Sequence, residues 1–207
     1  MSNEFSAPFA PSSGLAAVPV NRTFAWLSSS AIVLAGSLFA ALCAHIALPL
    51  YFTPVPLSLA PFAVLVLGLL LSPRLAAATL GAYLLEGAAG LPVFASTPAV
   101  PGLAHLLGPT GGYLLAYPLA AAFIAILMRR TGSGRAFVPA FVCAGLGSLV
   151  ILACGAVWLA ALTHASLQSV VSLAVLPFLP GDALKVAAAA GLVTGWARLR
   201  CHIAKPH

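Results

Sequence analysis

Three ionisable side chains lie within apolar stretches of this chain: Glu86, Asp182 and Lys185. Charged groups are costly in apolar surroundings, so they usually pair with one another or serve a ligand. Asp182 and Lys185 are three residues apart, which on a helix puts them on one face and lets them form an ion pair. A carboxylate beside an ammonium offers an acceptor and a donor together, which suits a urea or amide head group. A structural role stays open for each: Asp182 as a helix cap neutralised by Lys185, and Glu86 as a polar residue at a membrane interface.

A turn rich in glycine and proline, GPTGG at residues 108–112, directly precedes a long apolar run. The turn has no lysine and the pattern GxxxxGK[ST] occurs nowhere in the chain, which excludes a nucleotide-binding phosphate loop of that type. The free N–H groups of Gly111 and Gly112 at the start of a helix offer a site for a polar ligand group. Tyr113 adds an aromatic face with a hydroxyl. The alternative is a tight turn that uses Pro109 and Gly111 for its backbone geometry.

The elements that carry these residues are predicted to be membrane helices, because 62% of the residues are hydrophobic and 6% are charged. A span needs roughly 20 apolar residues. Joining the short second and third helices would put Arg74 at mid-membrane, so the SPR sequence at residues 72–74 is interpreted as a turn. The prediction is an all-α integral membrane protein with six transmembrane helices. They lie at about residues 24–48, 61–71, 75–89, 113–128, 137–163 and 182–198.

The basic residues divide between the two sides of this topology. One side holds Arg22, Arg74, Arg129, Arg130, Arg135, Arg198, Arg200 and Lys205. The loops on the other side, at residues 49–60, 90–112 and 164–180, contain neither Lys nor Arg. Because Lys and Arg are enriched in cytoplasmic loops, both termini are predicted to be cytoplasmic. The basic residues form no groove-sized patch, so the net charge of +6 predicts no nucleic-acid partner.

The chain is predicted to form one domain in the cell membrane. Residues 1–21 form a disordered tail that is rich in Pro and Ser and is not a secretory signal, residues 22–200 form the six-helix domain, and residues 201–207 form a short cytoplasmic tail. The three outer loops are long and rich in Pro and Gly. Irregular backbone at membrane depth is tolerated where it lines a cavity, so these loops are predicted to roof a ligand pocket open to the outside. Ordinary external loops are the alternative.

Other classes of site find little support in the residues. The four cysteines, Cys43, Cys143, Cys154 and Cys201, contain no CxxC pair, so neither a metal nor a disulfide is predicted. His45, His105 and His164 lack ligand spacing and are interpreted as polar interface residues. The chain has no HxxxH or GxSxG pattern, which argues against an enzyme. A stand-alone secondary transporter usually has internal repeats, and none is visible here.

Four sequence blocks closely resemble the BioY family, the biotin-specific S components of energy-coupling-factor (ECF) vitamin importers. The blocks are TPVPLSL, GAAGLPVFA, LLGPTGGYLLAYPLAA and PFLPGDALK, at residues 53–59, 87–95, 106–121 and 177–185. The resemblance implies a six-helix fold that captures biotin near the outer face with high affinity and no cofactor. It also implies partners, a transmembrane coupling subunit and ATPase subunits that energise uptake. A stand-alone transporter of biotin or a related vitamin is the alternative.

With the resemblance, the pocket residues take on roles. The ureido ring of biotin has two N–H groups and one C=O, which match Asp182 and Lys185. The apolar thiophane ring and tail fit Val55, Phe94 and Tyr113. The predicted substrate-binding residues are Thr53, Val55, Ser58, Glu86, Phe94, Gly111, Gly112, Tyr113, Asp182 and Lys185. The family pattern Thr-Leu-Gln is replaced by Ser58, Leu59 and Ala60, and no Arg lies near Tyr113 to meet the biotin carboxylate.

Small residues recur along the first helix, at Ala31, Ala35, Gly36 and Ala40. Such stripes let two helices approach closely. The family resemblance implies that this stripe is the docking face for the coupling subunit. The alternative is packing within the six-helix body.

Overall fold

The computed structural model describes residues 22–51, 55–95, 102–132 and 136–203. The predicted N-terminal tail (1–21), the last residues of the predicted C-terminal tail (204–207) and Thr53 lie outside the described residues. The described part is mostly helical. Its elements in chain order are α1 (Arg22–His45), β1 (Ala47–Leu48), β2 (Leu57–Ser58), α2 (Ala60–Leu70), α3 (Pro73–Ala88), α4 (Leu103–Leu107), α5 (Gly111–Thr131), α6 (Phe137–Thr163), α7 (Leu167–Ala174) and α8 (Leu179–Ile203).

The six long helices α1, α2, α3, α5, α6 and α8 match the six predicted helices in position. The all-α prediction is wrong in one detail, because β1 and β2 form a short antiparallel pair, with Ala47 opposite Ser58 and Leu48 opposite Leu57. The first helix was predicted to reach residue 48, but it ends at His45 and the chain turns into this strand pair. The Leu59 N–H extends the pairing by donating to the Ile46 carbonyl at 2.9 Å. The connections between the long helices also contain the short helices α4 and α7, which the sequence did not predict.

Three of the described helices are long and apolar enough to cross a membrane, at Leu27–His45, Gly111–Thr131 and Phe137–Thr163. Helix α2 is different in kind. Its 11 residues span only about 16 Å at about 1.5 Å per residue, roughly half of a hydrocarbon core. It is apolar all round and lies in the middle of the bundle, packed against α5, α8 and α1.

Close packing around α2 depends on Gly68. A Cβ atom there would come within 3.0 to 3.2 Å of Ile124 and the backbone of Ala121 on α5. The turn from α2 into α3 is the predicted SPR turn: Ser72 caps α3 by accepting from the Leu75 N–H at 3.4 Å, and Pro73 opens the helix. That prediction is confirmed. The turn places Arg74 at one end of the helical bundle. The cavity described below lies at the opposite end.

Candidate ligand pocket

A cavity lies at the end of the bundle where α1, α3 and α6 finish and α2, α5 and α8 begin, which we call the loop end. It encloses about 590 Å³ of empty space, including its open mouth. Seven helices, α1 to α6 and α8, and the β1–α2 segment contribute to its walls. The lining residues are Ala44, Val55, Pro56, Ser58, Ala60, Pro61, Tyr83, Ala95, His105, Thr110, Tyr113, Leu114, Tyr117, Ile151, Leu152, Phe178, Asp182 and Lys185.

The charged part of the wall is the pair of Asp182 and Lys185 on α8. Lys185 Nζ donates to Asp182 Oδ1 at 3.0 Å, and both residues are buried, with 7% and 8% of their surfaces exposed. Ser148 on α6 donates to the other carboxylate oxygen, Oδ2, at 3.3 Å. The predicted ion pair is confirmed. The capping role for Asp182 is wrong, because α8 begins earlier, at Leu179, and the Asp182 N–H already donates to the Phe178 carbonyl at 2.8 Å.

The pair keeps hydrogen-bonding capacity for a ligand. An ammonium has three donors and a carboxylate has about four acceptor sites. Within the described residues, the Lys185 ammonium donates one hydrogen bond, to Asp182. The Asp182 carboxylate accepts two hydrogen bonds, one from Lys185 and one from Ser148. Two donors and about two acceptor sites are left at a buried position. Buried polar groups strongly favour partners, so a ligand with N–H and C=O groups side by side gains much from this position.

Aromatic side chains form much of the remaining wall. Tyr113 on α5 lies against Phe178, with ring centroids 6.5 Å apart, and Tyr117 one turn later stacks on Tyr83 of α3, also at 6.5 Å. Ser58 lies at the end of β2 and lines the same cavity as Tyr117. Tyr113, Ser58 and Val55 were predicted as binding residues, and all three line the cavity. The sequence analysis missed Tyr83 and Tyr117, although the spacing of Tyr113 and Tyr117 by four residues is a signal that they share a helix face.

Phe94 lies behind the cavity wall. Its ring makes an edge contact with Tyr83 at 5.4 Å and stacks on His105 at 5.0 Å. Gly87 permits this, since a Cβ atom there would collide with the Phe94 ring. His105, which the sequence analysis placed at the interface, is 5% exposed and lines the cavity. Phe94 therefore positions the wall residues Tyr83 and His105.

Gly111 and Gly112 face away from the cavity. The Gly111 N–H donates to the Gly108 carbonyl at 3.0 Å, and a Cβ atom on Gly112 would collide with Trp158 of α6. Trp158 Nε1 in turn donates to the Gly108 carbonyl at 2.9 Å. These glycines therefore serve the tight turn and the close approach of α5 to α6. This arrangement corresponds to the alternative interpretation of the GPTGG turn.

Glu86 is also outside the described wall. Ser37 of α1 donates to Glu86 Oε1 at 2.9 Å, so the carboxylate joins α3 to α1. A polar bond between two helices explains an acidic residue at this position without a ligand. Thr53 falls outside the described residues. Of the predicted binding residues, the structure brings together Val55, Ser58, Tyr113, Asp182 and Lys185.

The side chains that line the cavity determine which ligands it can bind. A buried carboxylate and ammonium, several phenols and apolar walls can hold a small molecule that has a polar head and an apolar body. No group of three or more His, Cys, Asp or Glu side chains within the described ranges is arranged to hold a metal ion. The site is organised for binding.

Comparison with known proteins connects this site to a family. The sequence matches the model of the BioY family over residues 16–201. It is 42% identical over 136 residues to the probable biotin transporter BioY of Pyrococcus horikoshii, covering 66% of this chain and 76% of that protein. It is 35% identical over 147 residues to the biotin transporter BioY of Thermotoga maritima, covering 71% of this chain and 82% of that protein.

A solved structure agrees with the sequence comparisons. The fold is similar to the crystal structure of the S-component for biotin from an ECF-type ABC transporter, with a TM-score of 0.76 and 26% sequence identity over 89% of this chain and 95% of that chain. The family match spans both the helical bundle and the pocket residues. The chain therefore belongs to the BioY family of multi-pass membrane proteins.

Proposed function

We propose that the protein captures biotin in this cavity as the substrate-binding component of an ECF-type importer. The observation that carries the proposal is the buried pair of Asp182 and Lys185, which opens onto an aromatic cavity. Relatives of the chain bear the name biotin transporter, and a similar solved structure is an S-component for biotin. Membership of this family makes the chain a transporter component and not an enzyme.

The chemistry of biotin complements the wall. Its ureido ring presents a C=O between two N–H groups, so Lys185 donates to the C=O and Asp182 accepts from one N–H. Both bonds are charge-assisted, and such bonds are roughly twice as strong as neutral ones. The thiophane ring packs between Val55 and Tyr113, and the valerate tail extends towards Thr110, another lining residue. Thr53 stays a proposed contact.

Equilibrium titration of the purified protein in detergent with biotin tests the proposal directly. We expect saturable binding with one site per chain, and no binding of a fatty acid of similar length that lacks the ureido ring. Absence of biotin binding by a folded, monodisperse protein would exclude this function.

We further propose that the six long helices all cross the membrane, with the loop end outside and both termini in the cytoplasm. The separation of basic residues supports this orientation, since Arg74, Arg129 and Arg130 lie at the end opposite the cavity. Helix α2, the shortest of the six, still fits, because it is enclosed by the other helices and needs no contact with the full lipid thickness.

Single cysteines test this topology. In a background without the native cysteines, Leu91→Cys after α3 and Arg130→Cys at the end of α5 should be labelled from opposite sides of the membrane. Both native residues are exposed, so an impermeant maleimide can reach either side chain from its own aqueous side. Labelling of both positions from outside intact cells would rule out the six-span orientation.

The proposed docking face for the coupling subunit is narrower than the predicted stripe. Ala31 and Ala35 are exposed on α1. Gly36 and Ala40 are buried, and Gly36 packs against Thr79 of α3 and Leu67 of α2. Those two positions are already occupied by the bundle, so we leave them out of the proposed face. Ala31 and Ala35 supply the small side chains that a partner helix needs for close approach.

Replacing Ala35 with Trp should weaken co-purification with a coupling subunit and leave biotin binding unchanged. Ala35 is exposed and is not a lining residue, and it lies about 14 Å along α1 from the lining residue Ala44. Leu34→Trp is the matched control, since Leu34 is 62% exposed on the neighbouring face of the same helix. Equal loss of partner with both variants would show that bulk on α1 in general, and not this face, interferes. Loss of biotin binding with Ala35→Trp would assign Ala35 to internal packing.

A further inference from the structure

One polar atom in the cavity wall has no partner. The Tyr83 hydroxyl is the buried side-chain atom without a hydrogen bond among the described residues. Its residue is fully buried, with 0% of its surface exposed, and it lines the cavity from α3. Folded proteins pair the large majority of their buried polar groups, so this exception requires an explanation.

The ring of Tyr83 packs against two other aromatic rings. Phe94 contacts it edge-on at 5.4 Å and Tyr117 stacks on it at 6.5 Å. The fold thus presents an unpaired donor and acceptor in a rigid setting, which costs stability in the empty protein and is recovered when a ligand supplies the partner.

The position of Tyr83 suits the ligand head. Tyr83 lies five residues before the end of α3, and Lys185 lies six residues after the start of α8. At about 1.5 Å per residue, Tyr83 lies about 8 Å from the end of α3, and Lys185 lies about 9 Å from the start of α8. They reach the cavity from different sides, since α3 packs against α1 and α5 while α8 packs against α6 and α2. Both side chains line the same cavity, so one ligand can meet both.

We propose that the Tyr83 hydroxyl is a further ligand-binding group that hydrogen-bonds the ureido ring of biotin. This inference rests on the proposed function. Asp182 and Lys185 engage one N–H and the C=O of the ring, which leaves the second N–H on the opposite edge without an acceptor. The phenol oxygen of Tyr83 accepts from that N–H. The ring is then held on both edges, which favours a flat cyclic urea over a linear amide.

Tyr83→Phe separates this role from a structural one. The variant removes the hydroxyl and keeps the ring contacts, so we expect biotin affinity to fall about fivefold to tenfold. The melting temperature of the ligand-free protein should stay the same or rise, because an unpaired hydroxyl has been removed.

Desthiobiotin identifies the ligand group. It keeps the ureido ring and lacks the sulfur, so Tyr83→Phe should lower its affinity by the same factor as that of biotin. A loss confined to biotin would overturn the ureido contact, and so would a Tyr83→Phe variant that binds biotin as tightly as the unaltered protein. A lowered ligand-free melting temperature would show that the hydroxyl has a structural partner and overturn the inference. Failure of the unaltered protein to bind biotin would instead overturn the proposed function itself.

Discussion

Lys185→Met and Asp182→Asn should each weaken biotin binding at least about tenfold, equivalent to about 1.4 kcal/mol. Each change removes one charge-assisted bond to the ureido ring. Each also breaks the 3.0 Å ion pair and leaves its partner unneutralised in a buried wall. The measurement is calorimetric titration of detergent-purified variants that elute as folded species.

Loss of stability must be separated from loss of contact, because removing one member of a buried ion pair costs about 3 to 5 kcal/mol. The charge-free double variant should recover stability and still fail to bind biotin if both groups contact the ligand. Ser148→Ala is the matched control, since it removes only the 3.3 Å bond to Asp182 Oδ2 and should change affinity little. A folded double variant with unaltered affinity would remove both residues from the site.

Gly155→Ala should damage both the bundle and the pocket. A Cβ atom on Gly155 of α6 would collide with the ring of Tyr113, which is a wall of the cavity. The ring or the helix must shift, and overpacking of this kind costs about 1 to 3 kcal/mol. We expect a melting temperature lower by several degrees, at about 2 to 4 °C per kcal/mol. Biotin affinity should fall with it because Tyr113 is displaced.

The same helix supplies a matched control. Gly145 is also within α6, and a Cβ atom there would have as its nearest neighbour Val186 Cγ1 at 4.0 Å, an ordinary contact. Gly145→Ala should therefore keep affinity and slightly raise stability, since Ala favours a helix over Gly by about 1 kcal/mol. Thermal unfolding and biotin titration of Gly155→Ala and Gly145→Ala, measured side by side, test whether the position of the added methyl group determines the effect. Equal behaviour of the two would refute a specific role for the small residue at position 155.

Local features of the fold were predictable from the sequence because they depend on neighbouring residues. The apolar runs predicted the six long helices, and the sequence Ser72, Pro73 predicted a capped turn that the structure has. The spacing of Asp182 and Lys185 predicted an ion pair that forms at 3.0 Å. The BioY resemblance was likewise visible in contiguous blocks and is confirmed by the family match.

Contacts between distant segments were decided only by the tertiary structure. Whether a glycine binds a ligand or admits a neighbour depends on what faces it: Gly112 faces Trp158, which lies 46 positions along the chain. The partner of Glu86 is Ser37 on another helix, and Tyr83 enters the site because Phe94 and Tyr117 fix its ring. Helix periodicity says which residues share a face, whereas packing among six helices decides which face lines the cavity. That choice depends on the summed fit of many side chains, which no local pattern encodes.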